Sequence, residues 1–484
     1  MAYRLAQRSF RGARCSYKSC FMSRPATPLL LIPFGLLLVS CPYLPGSKAG
    51  GKDDDLGIPG DYRSGRAPVP ELVDSLGDVF KDAGLKKQMR LSQERNPDLE
   101  AAAARLEEAG FNTRSARAGL FPSLTGNAGA SRGQTNSAGG GFNFGSVITE
   151  RYSASLDAQW EVDVWGRIRA GVSAAEANRD AVAADYEAAR QSIAAQTAQA
   201  YFDLVASTRL RDLANRRFES FQSTLDLVNR RFELGTADLG DLSLAKTDVE
   251  NAKAAISERA NLRDQAARRL AALTGAYPDA SLGADSWPSL RRGVKAGIPS
   301  TLLMRRPDIY SAYQRILAAD SSVKVAHADL FPSFGLTSSG GQQSGELKDL
   351  ANTDFTVWSI AANLTAPIID GGRRRAELGA ANARAKQALA TYRSTVLNSF
   401  REVENALGSE LYLRRQEDAT ASALTAAESA EDRSLRNYES GLVDILTVLD
   451  ATRRRFSAEE SLINLRNLRF QNRVALALAL GKAY

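Results

Sequence analysis

The chain has 484 residues, with a single histidine, His327, and three cysteines, Cys15, Cys20 and Cys41, all near the N-terminus. That stock excludes an intramolecular disulfide, a thiolate cage or a His-based metal site further along, and His327 reads as a helix-surface or packing residue. The net charge of +7 sits at the front: residues 1–40 hold six Lys and Arg and no acid, leaving +1 for the rest, so a nucleic-acid partner has no electrostatic basis once that segment is removed.

The basic segment has the order of a signal peptide, with a second candidate start at Met22, then Arg24, then the apolar run 29–39. Eleven apolar residues are too few to span a bilayer as a helix. The run ends Leu38-Val39-Ser40-Cys41, which resembles the bacterial lipobox. Residues 1–40 are therefore expected to be removed and Cys41 to be lipidated, the acyl chains holding the protein at a membrane. Pro42 follows where an inner-membrane retention signal would place Asp, which favours the outer membrane. Residues 41–70, rich in Gly, Pro, Lys and Asp, read as a flexible tether.

A first structural repeat is expected over 71–275 and a second over 276–484. The first begins with a helix at about 87–121, followed by a polar zone in which the period changes from 3.6 to 2. Two strands are expected there, 123–134 and 150–164, joined by a Gly-rich loop. In the second of them Tyr152, Ala154, Leu156, Ala158, Trp160 and Val162 alternate with polar residues. From Gly166 to Leu234 no proline occurs, and the Ala, Arg, Glu, Gln and Leu content predicts one helix of roughly 100 Å at 1.5 Å per residue. A return helix follows at 241–273. The second repeat has a mid-height excursion over 275–299, a helix at 301–331, and a strand pair, 333–341 with 355–369, in which Trp358, Ile360, Ala362 and Leu364 alternate. A long helix at 372–440 and a return helix at 442–480 complete it.

The two repeats share landmarks. Asn96-Pro97-Asp98 and Leu120-Phe121-Pro122-Ser123 recur 210 residues later as Arg306-Pro307-Asp308 and Leu330-Phe331-Pro332-Ser333, and Gly166-Arg167 recurs 206 residues later as Gly372-Arg373. Four strands cannot enclose a pore, so a membrane barrel would need several chains, and three would supply twelve strands. A short return helix cannot match its long partner alone. Length and position suggest that 301–331 continues 241–273 end to end and that 87–121 continues 442–480, giving four helical columns per chain. Coiled-coil spacing marks Leu442, Leu446, Leu449, Phe456, Ile463, Phe470 and Val474 on the last helix, and Phe218, Phe221, Leu225, Val228 and Phe232 on the first long one.

At Pro299-Ser300-Thr301-Leu302-Leu303-Met304-Arg305-Arg306-Pro307-Asp308-Ile309, at Tyr438–Gly441 with Val448-Leu449-Asp450-Ala451, and at the two Gly-Arg helix starts, the chain resembles a TolC-type outer-membrane factor of the lipoprotein (NodT/OprM-like) branch. The resemblance runs from about Pro68 to Gly481. It departs at Pro59-Gly60-Asp61-Tyr62 and at Gln314, where Glu is usual. It implies an α+β membrane protein: a homotrimeric twelve-stranded β-barrel in outer-membrane lipid, four strands per protomer, continued by a long periplasmic α-helical barrel. It also implies a periplasmic adapter (membrane fusion protein) and an inner-membrane RND-type transporter as partners. The same resemblance assigns Gly235, Thr236, Gly441 and Leu442 to adapter-contacting turns, and Leu446, Asp450 and Arg453 to a periplasmic gate. It implies no cofactor, no metal and no catalytic residue.

Two rival readings can be set beside it. An enzyme could be argued from Glu402 and Glu404, but at i and i+2 on a helix they face different ways and read as solvated acids. A lipid-anchored helical-hairpin adapter or scaffold would not need the two alternating strand zones.

Overall fold

The computed structural model describes Phe80 and residues 82–139, 142–284, 287, 288, 303 and 305–481, the side chains of 136–145 excepted. Cys41, the signal region and the tether lie outside the described residues. The elements, in chain order, are α1 (Ala83–Arg95), α2 (Pro97–Ala118), β1 (Ser123–Gly139), β2 (Phe142–Val162), α3 (Arg167–Glu233), α4 (Leu239–Leu273), α5 (Pro307–Ala328), β3 (Ser333–Ser344), β4 (Thr356–Thr365), α6 (Arg373–Glu439) and α7 (Ile445–Ala479). Two 3-10 segments, Leu347–Ala351 and Thr353–Phe355, link β3 to β4. Among the described residues no helix is long and apolar enough to cross a membrane.

Helix boundaries follow local chemistry. Asp82, Asp238 and Asp444 each sit in extended backbone and accept the N–H three residues on, at Leu85 (2.7 Å), Asp241 (2.8 Å) and Thr447 (2.9 Å), which satisfies a donor the helix itself leaves open. The single helices expected at 87–121 and 301–331 are interrupted instead. Asn96 separates α1 from α2, and α5 begins at Pro307 after Arg306; ψ is 124° at Asn96 and 121° at Arg306. The ring of a following proline clashes with α-region backbone and forces its predecessor into the extended region.

These breaks decide how the columns stack. The Asn96 side chain donates to the Leu273 carbonyl at 2.9 Å, and a Cβ on Gly275 would collide with the Arg95 carbonyl, so α4 ends on the α1–α2 junction. Arg306 Nη1 donates to the Ala479 carbonyl at 3.1 Å, so α7 ends on the start of α5. The stacked pairs are thus α2 with α4 and α5 with α7, not the crossed pairs expected from length. Length suits either partner; the choice is made by the side chains at the two breaks, which fill the open carbonyls of the helix that ends there.

The two long helices separate these stacks. Along its N-terminal half α3 carries α2 on one side and α5 on the other, and along its C-terminal half α4 and α7; α6 carries α5 and α7. Four columns therefore lie in the order α2/α4, α3, α5/α7, α6. Both long helices have 67 residues, but α3 buries 21 of them and α6 only six, because α6 is flanked on one side alone. Apolar clusters fill the seams. One joins Phe80, Phe202, Phe470 and Trp287, with Trp287 stacked on Phe470 at 4.8 Å; another joins Phe221, Val228, Leu242, Val249, Ile445, Val448 and Leu449 near the distal turns. The expected stripe on α7 holds from Leu449 to Val474 but not at Leu442 and Leu446, which are exposed while Ile445 and Val448 fill the seam.

The sheet is antiparallel throughout, in the order β1-β2-β3-β4. The first hairpin is longer than expected: Gln134 pairs with Ile148, Thr135 with Val147 and Gly139 with Phe142, so most of the anticipated Gly-rich loop is ladder. Gly, Ser and Asn lower strand propensity, but continued pairing overrides them.

Candidate channel, tips and gate

Because paired residues share a face, the register sets Leu124 beside Ala158, Leu156 beside Gly340, Trp160 beside Leu336 and Leu364 beside Phe334 on one side of the sheet. On the other lie Thr125 with Asp157, Asn127 with Ser155, Gln159 with Thr337 and Ser359 with Ser339. Among the described residues nothing covers the apolar side: Trp358 is 77% exposed and Ile360 74%. An apolar outer face and a polar inner face at period 2 are what a barrel wall between lipid and a water-filled lumen requires. Among the described residues both edges, β1 and β4, are open.

Where the strands meet the helices, aromatic side chains form a rim. Trp160 Nε1 donates to the Leu120 carbonyl at 3.1 Å, and Trp165 Nε1 donates to the Pro332 carbonyl at 2.7 Å while its ring stacks on Phe331 at 4.8 Å. His327 meets the edge of the same Phe331 at 5.4 Å, a packing role. Below them Arg167 forks onto Glu161 (3.0 and 2.7 Å) and Asp163 accepts the Ile168 and Arg169 N–H groups, both at 2.9 Å. Burial alone would raise the Asp163 pKa, but the Arg169 and Ile168 N–H groups, with the Arg169 guanidinium, hold it below the usual carboxylate range.

At the far end both long helices close with the same cap. Gly235 (φ 76°) and Gly441 (φ 74°) adopt the left-handed region. Their N–H groups donate to Phe232 and Tyr438 carbonyls at 2.9 Å, and those of Thr236 and Leu442 to Arg231 and Asn437 at 2.8 Å. This is the Schellman pattern, in which Gly avoids the Cβ penalty. Thr236 Oγ1 adds a second bond to the Arg231 carbonyl at 3.0 Å. The turns display bare apolar side chains: Leu234, Leu239 and Leu442 are all exposed, Leu442 by 74%. Gly235, Thr236, Gly441 and Leu442 thus lie at the turns as the sequence placed them. Leu234 and Leu239 were missed, although leucines flanking a polar turn are a readable signal.

Leu446, Asp450 and Arg453 share the exposed face of α7, with Leu446 53% exposed. Asp450 and Arg453 are not paired with each other. Asp450 takes Arg454 at 2.7 Å, and Arg453 crosses to Asp248 of α4 at 2.7 Å. Asp248 is largely buried, so this pair ties the start of α7 to α4, in the column on the other side of α3. A further tie joins the two turns: Arg231 Nη1 donates to the Tyr438 carbonyl at 2.5 Å and its guanidinium lies 4.5 Å from the Tyr438 ring centre. Neither tie is legible in the sequence, since the partners lie 205 and 207 residues apart.

Higher up, α6 and α7 are laced by charge. Glu410 takes Arg473 at 2.6 Å and Arg469 at 3.2 Å, while Glu417 takes Arg469 and, at 3.0 Å, Arg466. Glu402, expected to be merely solvated, binds Arg306 Nη1 at 2.7 Å and so steadies the α5–α7 junction. Among the described residues no group of three His, Cys, Asp or Glu is placed to hold a metal ion.

The family profile described as "Outer membrane efflux protein" matches residues 89–276 and 298–482. The chain belongs to the outer membrane efflux protein family. It is 28% identical over 481 residues to the cation efflux system protein CusC of Escherichia coli (strain CFT073), covering 94% of this chain and 99% of CusC. It is 30% identical over 469 residues to the pyoverdine export outer membrane protein OpmQ of Pseudomonas aeruginosa, covering 94% and 96%. The solved structure of the outer-membrane channel OprN superposes with a TM-score of 0.79 at 27% identity, covering 88% of this chain and 99% of OprN.

Its relatives in this family are channel proteins. The chain is accordingly an outer-membrane channel component of an efflux system: three protomers complete a twelve-stranded barrel and, below it, a long helical barrel reaching into the periplasm. The open edges of β1 and β4 and the sparsely buried α6 are the surfaces such closure requires.

Proposed function

We propose that the channel is the exit duct of a tripartite pump, receiving substrate from an inner-membrane RND-type transporter through a periplasmic adapter that grips the α3–α4 and α6–α7 turns. Passage through the duct is passive, and the free energy is supplied by the transporter. In this reading the adapter contacts Gly235, Thr236, Gly441 and Leu442, the constriction is formed by Leu446, Asp450 and Arg453 of three protomers, and lipid on Cys41 adds a second anchor to the barrel.

The observation that carries it is the pair of turns with identical Schellman caps, each presenting uncovered leucine at the end of the long helices. Exposed apolar groups on an otherwise polar tip are a protein-contact signature. The left-handed glycines hold them in one conformation, so docking costs little ordering entropy.

The test is co-purification of the adapter with the intact chain after replacing Gly441 with Trp. A side chain at φ 74° costs about 1–2 kcal/mol and shifts the turn. Trimers should persist while adapter recovery drops. Full recovery would place the adapter elsewhere. The lipid-anchored adapter reading is tested separately by removing the anchor: an adapter held only by lipid then dissolves in buffer, whereas a barrel still needs detergent.

A further inference from the structure

The two repeats in each protomer make the join between them a template for the join between protomers. Ser123 pairs with Gln159 as Ser333 pairs with Thr365, so β3 repeats β1 at an offset of 210 and β4 repeats β2 at 206. Within the protomer β2 joins β3, from Val162 with Phe334 up to Tyr152 with Ser344. In a ring of three chains the corresponding contact is β4 of one protomer with β1 of the next.

We propose that this seam copies the internal register, so that residue numbers on β4 and on the neighbouring β1 sum to 492: Leu364 faces Ala128 of the neighbouring protomer, Asn363 faces its Gly129 and Thr365 its Asn127. The partner is a second copy of this chain, and the proposal rests on the trimeric barrel.

The repeat selects the register, and two features of the chain agree with a seam of this kind. First, an even sum places Trp358, Ile360 and Leu364 on the same side as Leu124, Ala128 and Ala130, continuing one apolar and one polar face across the seam; an odd sum would set each apolar residue of β4 beside a polar-face residue of β1. That leaves sums such as 490, 492 and 494, and only 492 follows from the repeat.

Second, β4 stops short where the template says it should in a lone chain. On β2 the last three residues, Trp160 to Val162, lie beyond the β1 ladder, which ends at Gln159, and are paired through β3 alone. Their counterparts are Ala366, Pro367 and Ile368. These have no regular structure, and Ile368 is 91% exposed. The missing strand end is the part whose pairing comes only from the side the neighbour occupies. On assembly Ala366 faces Gly126 of the neighbouring protomer and Ile368 faces its Leu124, covering two exposed apolar side chains. Pro367 has no N–H, so any bonding at its own position uses its carbonyl alone.

The test is disulfide trapping in the full-length chain in outer membranes. Asn363→Cys is combined in the same chain with Gly129→Cys, and in separate variants with Asn127→Cys or Ser131→Cys, which report sums of 490 and 494. The two positions in one protomer are separated by β2 and β3, so any bond is between chains. Facing positions fall within the 4.4–6.8 Å Cα range of a disulfide, and the flanking choices are displaced by two residues along the strand. The expected result is a covalent trimer on a non-reducing gel, formed several-fold faster for the Gly129 variant than for either alternative and absent from each single-cysteine control. Fastest trapping at Asn127 or Ser131 overturns the register and leaves the barrel reading intact. Trapping at none of the three, with native gels showing trimers, overturns the β4–β1 seam. Trapping at none with monomers in the unsubstituted chain overturns the trimer itself.

Discussion

Arg453 is the side chain whose loss should most change the resting channel. Arg453→Ala removes a guanidinium that reaches 2.7 Å from Asp248, whose own side chain is only 8% exposed. Breaking a buried ion pair costs about 3–5 kcal/mol, but Arg453 is itself half exposed, and solvent screening brings the figure nearer ~1–2 kcal/mol. If the tie stabilises the closed arrangement by that amount, its removal raises the open population roughly 5–30-fold. Single-channel recordings from planar bilayers read this directly as added conductance without adapter. Asp248→Asn should do the same, and the double variant should exceed neither by much, because both delete one interaction. Arg453→Lys should fall between, keeping charge without the forked geometry. If Arg453→Ala and Asp248→Asn trimers conduct like the unsubstituted protein, the α4–α7 tie does not hold the gate and the argument fails.

Three further outcomes follow from the same geometry. Leu446→Ala should raise resting conductance and Asp450→Ala should lower cation preference and weaken block by divalent cations; unchanged conductance and selectivity in both would remove this face of α7 from the pore. Mass spectrometry of the mature N-terminus should find a lipidated Cys41, and Cys41→Ser should weaken anchoring while trimers survive; an unmodified Cys41 peptide counts against it. Burial alone would raise the Glu410 pKa, but Arg473 and Arg469 outweigh it and hold the carboxyl below its ordinary value. Its contribution is therefore present at neutral pH, above the unfolded pKa, and is lost as pH falls through the lower folded pKa. Thermal unfolding of Glu410→Gln should thus show lower stability at neutral pH and a shallower acid-side loss, whereas a parallel acid limb would show that Glu410 is not the titrating group.

Much of the architecture is periodic, and periodicity is what a sequence displays. The repeat, the proline-free stretches 166–234 and 372–440 and the period-2 runs on β2 and β4 needed no tertiary information. What failed needed contacts. The stacking of α4 on the α1–α2 break depends on the Asn96 bond to Leu273, 177 residues away, and helix length cannot distinguish it from the crossed alternative. The long first hairpin was hidden because Gly, Ser and Asn signal turns locally, while cross-strand pairing extends the ladder through them. Leu446 fits a coiled-coil stripe as well as Ile445 fits the true seam; a shift of one residue around the helix is decided by the neighbour. Leu446, Asp450 and Arg453, proposed for the gate, do share a face as their spacing predicts, but Arg453 reaching Asp248 rather than Asp450 depends on the approach of α4.

The central claim is that three copies of this chain form one continuous tunnel, and electron-microscopic imaging of the detergent-extracted protein tests it most directly. Threefold particles with a barrel at one end, a helical tube of roughly 100 Å below it at 1.5 Å per residue, and the paired turns at the distal end are the predicted result. Monomers, or particles without a barrel that stay in solution when the detergent is withdrawn, would contradict it.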